Sequence, residues 1–138
     1  MEPIEKAIQQ LTSLVIRYQS LKLLFNQFQK HIEEANKQTF PVRGILVNTL
    51  SATKSGVTFL DHLYVVSFSV QNSRGVIVFT SVGDGHTNTE VTQVGSVSFN
   101  GQGVVDIKQP PNEDQMDINN DSCSLNLLLN WLHQGTHA

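Results

Sequence analysis

His62 and His86 stand close to acids, where proton-transfer chemistry would be sought. Gly83-Asp84-Gly85-His86, followed by Glu90, places two carboxylates and an imidazole in one glycine-flanked loop. Glycine frees the backbone to cradle an anion or shape a site. Phosphate loops of that kind open onto a helix N-terminus. A strand follows here, so an ordinary hairpin loop is the simpler expectation. Asp61-His62 is the second pair, and a carboxylate near an imidazole tunes a general base. Neighbours in a strand point to opposite faces, so these two are not expected to meet. His62 shares the face of Tyr64, Val66 and Phe68, as a core or cavity-lining histidine would.

Metal and nucleophile patterns are present in fragments. Asp117-Ile118-Asn119-Asn120-Asp121 offers oxygen ligands at Asp117, Asn119 and Asp121, the opening of a calcium loop. Ser122 then stands where the sharp turn wants glycine, and Leu128 where a bidentate glutamate belongs. A solvated loop ending in a helix cap is expected instead. Ser51-Ala52-Thr53-Lys54 has the Ser-x-x-Lys spacing of some acyl-transfer enzymes, but that chemistry needs both residues one helical turn apart. Cys123 lies at a helix N-terminus, where a thiol pKa falls, yet no partner histidine is fixed nearby. His133 and His137 have ligand spacing, but Gly135 is expected to break the helix between them. No metal or cofactor is expected from these patterns.

The bulk numbers narrow the class. The chain has 138 residues, which favours one domain. It has one cysteine, so no intrachain disulfide forms, which fits a reducing compartment. The N-terminus has no basic stretch followed by an apolar one, so no signal peptide is expected. No run of about 18 apolar residues would span a membrane. A cytoplasmic location is the resulting expectation. The net charge is −3, and Arg43, Lys54, Arg74 and Lys108 are too scattered to make the basic patch of a nucleic-acid binder. Charged residues make up only 15%, and Asn, Gln, Ser and Thr supply the polarity. Such a surface repels its own copies weakly and tolerates association.

Leu and Val divide the chain. Val lies almost wholly between Phe40 and Gln109, and Leu concentrates towards the two ends. Leu keeps rotamer freedom in a helix, whereas Val suits a pleated sheet. One α+β domain is expected: a helix over 1–39, an antiparallel sheet of about five strands over 43–108, and a C-terminal helix over 122–134. The C-terminal helix should be capped by Asp121 or Ser122 and stopped by Gly135. Asn100-Gly101 is the strongest hairpin signal, predicting a type I′ turn. Val57 to Val70 reads as one strand, with Asp61 as a candidate break. A long helix resting on a curved sheet resembles cystatin-like and nuclear-transport-factor-like layouts, a likeness of arrangement only.

The first helix poses a problem of length. Ala7, Leu11, Leu14, Tyr18, Leu21, Phe25, Phe28, Ile32 and Ala35 repeat at 4-3 spacing, a heptad seam widened by Ile8, Val15 and Leu24. About 33 residues give a helix roughly 50 Å long. The rest of the chain makes a body roughly 35 Å across. No Gly or Pro is present to bend the helix. The seam represents on the order of 10–25 kcal/mol of burial as an upper bound. The expected function is therefore a non-enzymatic assembly or protein-binding module, self-associating through Leu11, Leu14, Tyr18, Leu21, Phe25, Phe28 and Ile32. The competing expectation is a small-molecule binder or enzyme with a helix–sheet pocket using His62, Tyr64, Asp61 and His86.

Overall fold

The computed structural model describes residues 2–83, 91–108 and 115–136. Its element order is α1 (Glu2–Ile32), a 3-10 turn (Glu33–Asn36), β1 (Leu46–Ser51), β2 (Lys54–Phe59), β3 (His62–Gln71), β4 (Arg74–Gly83), β5 (Thr92–Phe99), β6 (Val104–Lys108), β7 (Gln115–Asp117) and α2 (Asp121–Thr136). This is the expected α+β class. The strands follow one another in space in chain order, and each neighbouring pair is antiparallel. Among the described residues there are seven strands rather than about five. The extra ones are the split of 57–70 into β2 and β3 and the three-residue β7.

Both helices lie on one face of the sheet, α1 over β3 and β4, α2 over β5 and alongside α1. Alternation along the strands directs Val57, Tyr64, Val66, Phe68, Ile77, Phe79, Val97 and Phe99 into this layer, all buried. Leu21, Phe25, Phe28 and Ile32 of α1 and Leu127, Leu128, Trp131 and Leu132 of α2 meet them. An aromatic chain crosses the interface. Phe25 stacks on Phe68 with centroids 5.2 Å apart, Phe28 meets Trp131 edge-on at 6.3 Å, and Trp131 stacks on Phe79 at 5.3 Å.

A polar clamp fixes where α1 sits along the sheet. Gln29 is buried, and its Nε2 lies 2.9 Å from the Ser51 carbonyl oxygen and 3.0 Å from Ser55 Oγ. Asn26 donates to Gln29 Oε1 at 2.9 Å and to the Ala52 carbonyl at 2.8 Å. The β1–β2 turn is thus bolted to one turn of helix.

Several boundaries differ from the sequence expectation. The helix does not run to residue 39: after Ile32 it tightens into the 3-10 turn, and Lys37 is extended. The cause is Asn36, whose amide both donates to the Val47 carbonyl (2.8 Å) and accepts from the Val47 N–H (2.6 Å), standing in for a peptide on edge strand β1. Asn100-Gly101 is not a type I′ turn. Gly103 carries the positive φ of +88°, its N–H donates to Asn100 O, and Asn100 Oδ1 accepts from the N–H groups of Gln102 and Val104. The paired positive-φ turns are Leu60-Asp61 and Asn72-Ser73. Residue 120, not Asp121 or Ser122, caps α2: Asn120 Oδ1 accepts the Ser122 N–H at 2.9 Å. Nor does Gly135 end that helix, which runs on to Thr136. A Cβ at Gly135 would lie 2.8 Å from the Tyr64 ring, so glycine is there to admit the tyrosine.

Two stability predictions follow from these contacts. Gln29→Met removes the clamp and leaves Ser55 Oγ and the turn carbonyls dry. A loss of about 2–4 kcal/mol in denaturant melts is expected, and a loss under ~0.5 kcal/mol would show the clamp to be dispensable. Leu60, 70% exposed at φ 52°, is strained for a leucine by about 1 kcal/mol. Replacing Leu60-Asp61 by Asn-Gly should therefore raise the Tm by about 4 °C. An unchanged Tm would mean that turn is unstrained.

Candidate functional site

From Pro3 to Ser20 every residue of α1 is exposed, and Leu21 is the first buried one. The heptad seam crosses this border without interruption. Leu11 is 62% exposed, Leu14 58% and Tyr18 39%, while Leu21, Phe25, Phe28 and Ile32 are fully buried in the chain's own core. Of the seam residues expected to face another copy, the last four are therefore taken up by the chain's own sheet. The free part is extended towards the tip by Ile4, Ile8 and Val15, all more than half exposed. The eighteen exposed residues, at 1.5 Å each, cover about 27 Å of helix, of which the stretch from Ser13 onward runs beside the hairpin tips. Side chains of this kind, a little over half exposed, represent roughly 1–2 kcal/mol each if covered.

The face is nearly uncharged. Between Pro3 and Lys22 the charged residues are Glu5, Lys6, Arg17 and Lys22. Lys22 arches over the Tyr18 ring, with Nζ 5.5 Å from its centroid. Tyr18 itself leans on Phe68 at 5.9 Å, so it joins the exposed stripe to the core. Leu11, Leu14, Val15, Tyr18, Gln19 and Lys22 line a shallow depression of about 520 Å³. Around the helix a second open groove, bordered by Ser13, Arg17 and Ser20, is closed by the hairpin tips at Ser73 and Gly101.

The residues expected to do chemistry are scattered or filled in. His62 and Tyr64 do share a face, with rings 5.5 Å apart. Tyr64 is fully buried and stacked on Phe79 at 4.9 Å. Its hydroxyl has no hydrogen-bond partner among the described residues, and the space before it is occupied by α2 at Gly135. Asp61 does not join them, because it lies in the β2–β3 turn at φ 62° rather than on the strand. His86, with Asp84, Gly85 and Glu90, falls outside the described residues. Asp117 Oδ1 accepts from both the backbone N–H and the side-chain amide of Asn119, and Asn119 also donates to the Gln102 carbonyl. That lacing ties the β5–β6 loop to the start of α2, with Asp121 opening the helix. Among the described residues no cluster of three histidine, cysteine or acidic side chains is placed to hold a metal ion. Ser51 and Lys54 pair across the β1–β2 turn.

Cys123 is buried, and burial pushes its thiol pKa up from the ordinary 9.0. The Asp117 charge acts in the same direction, while a hydrogen bond from the Asp117 backbone opposes both. The helix N-terminus therefore does not make it a reactive thiolate. One pair escaped the sequence reading: His31 Nδ1 lies 3.1 Å from Ser124 Oγ, a base beside a hydroxyl. Ser124 is fully buried, with Oγ near the Ile118 carbonyl, so no substrate reaches it and the pair ties α1 to α2.

Compared with known proteins, the chain matches no family model, no curated protein and no solved structure. Among the described residues no helix is long and apolar enough to cross a membrane.

The two buried acids make a pH prediction. Both Cys123 and Tyr64 hold their protons more tightly folded than unfolded, since burial raises each pKa. Their contribution is complete below the unfolded values and is lost as pH rises from there through the raised folded values. Stability should fall from about pH 8.5–9 upwards, and Cys123→Ala should flatten the first part of that fall. Equal alkaline slopes for the two proteins in urea melts would refute it.

Proposed function

We propose that this chain is a non-enzymatic assembly module that self-associates through the exposed N-terminal half of α1. The observation that carries this reading is a single apolar stripe, buried from Leu21 onward and bare from Ile4 to Tyr18. Monomeric proteins rarely leave a contiguous apolar patch of that kind uncovered. The same stripe, on the same helix, is treated as core wherever the sheet reaches it. The outer face of the sheet, away from both helices, remains available to a protein partner in such an assembly. The pocket reading has less behind it, because Trp131, Phe79 and Gly135 crowd the space that His62 and Tyr64 border.

Light scattering on a sizing column tests the proposal. The wild-type chain at about 50 µM should run as a dimer or larger, whereas Leu11→Glu/Leu14→Glu should be monomeric with unchanged near-ultraviolet circular dichroism. A monomeric wild type would overturn it.

A further inference from the structure

We infer that the second copy lies antiparallel on the first, with Leu11 against the partner's Leu14 and Ala7 against the partner's Tyr18, so that Ile4 reaches the border at which the partner's Leu21 enters its own core. This rests on the self-association just proposed and specifies its geometry.

Three observations select this arrangement. The first is length. The exposed run ends at Ser20, and this alignment overlaps the two helices from Ile4 to Leu21. Each tip therefore reaches the point where the other helix enters its own body, and no part of either stripe is left bare. The partner's Ile4, Ala7 and Ile8 would lie over the depression lined by Leu11, Leu14, Val15 and Tyr18.

The second is size. Ala7 is the smallest side chain of the exposed seam and Tyr18 the largest. Setting one against the other gives layers of even volume, with Ile8 beside the partner's Val15 completing one flank. A parallel, in-register pair would oppose Ala7 to Ala7 and Tyr18 to Tyr18, leaving a void in one layer and excess bulk in another.

The third is charge. In a parallel pair, Arg17 and the partner's Lys22 occupy flanking positions five residues apart, which face each other across such a seam. Both are basic. In the antiparallel alignment Arg17 faces the neutral Gln10 of the partner subunit. Lys22 comes within a side chain's reach of the partner's Glu5, the one acid between Pro3 and Lys22. A lipid surface is a poorer occupant. Helices that lie in membranes carry Lys- and Arg-rich polar faces, whereas here Gln9, Gln10, Thr12, Ser13 and Gln19 are neutral.

Cross-linking reads the orientation directly. In a Cys123→Ala background, Ala7→Cys/Tyr18→Cys is oxidised and digested with trypsin, which separates positions 7 and 18 into different peptides. The two sites are about 16 Å apart on one helix, too far for a disulfide within a chain. A covalent dimer joining the position-7 peptide to the position-18 peptide is expected. Links of each peptide to itself would overturn the antiparallel arrangement and leave self-association standing. A wild-type chain that is monomeric by light scattering would overturn both, as would a monomer that floats with phosphatidylserine vesicles.

A charge exchange gives a second readout that does not depend on the cysteines. Lys22→Glu should weaken the dimer about two- to fivefold, and Glu5→Lys/Lys22→Glu should restore it. A tighter dimer for Lys22→Glu alone is the parallel result and would overturn the inference.

Discussion

The two layers are held together where the stripe from Leu21 to Ile32 lies on β3 and β4. An antiparallel meander has one apolar face and cannot shelter it alone. Phe25 and Phe28 provide the cover, wedged between Phe68 on the sheet and Trp131 on α2. The Gln29–Asn26 clamp sits on the same turns of helix and fastens them to residues 51–55. Dispersion sets which face of α1 turns inward, and the buried amide sets how far along the sheet it lies. Once both are fixed, the position at which α1 leaves the body is fixed as well.

What leaves the body has no way to return to it. Nothing between Pro3 and Leu21 interrupts the helical ladder. The Thr12 hydroxyl bonded to the Ile8 carbonyl bends a helix only gently. The contrast with α2 is instructive. Its stripe of Leu127, Leu128, Trp131 and Leu132 is buried, because a 16-residue helix fits the sheet it lies on. The overhang is thus a property of α1 and not of the architecture. The outer turns also carry little charge, with Glu5, Lys6 and Arg17 as their charged residues between Pro3 and Leu21.

Much of the fold was legible because it rests on local periodicity. The Val-rich middle, the alternation through Tyr64, Val66 and Phe68, and the 4-3 spacing of α1 each report which face of an element turns inward. They do not report what meets that face, so the seam read the same on either side of Leu21. Turn chemistry was read least well. Leu60-Asp61 and Asn72-Ser73 adopt left-handed backbone without glycine, and tertiary pairing of long strands overrides the preference. Gly135 looked like a stop signal because its reason for being glycine, the ring of Tyr64, comes from a distant strand. The candidate chemistry failed for a related cause. His62 and Tyr64 share a face, as alternation requires, but only the tertiary packing reveals that α2 fills the space before them. The His31–Ser124 and Asn36–Val47 contacts join separate elements and leave no trace in spacing.

A helix seated at one end and bare at the other also changes how its outer turns come into being. Starting a helix is the costly step, and extending one adds a bond for each residue ordered. Eighteen residues alone in water would be marginally helical, yet here the seated turns serve as the nucleus and the rest is propagation. Amide exchange along this one element should therefore grade from rapid near Ile4 to slow near Phe28, as fraying works inward from the tip. Any partner would meet these outer turns largely prefolded, so little ordering entropy would oppose the encounter. Fit between side chains, rather than the cost of coiling up, then decides what they hold.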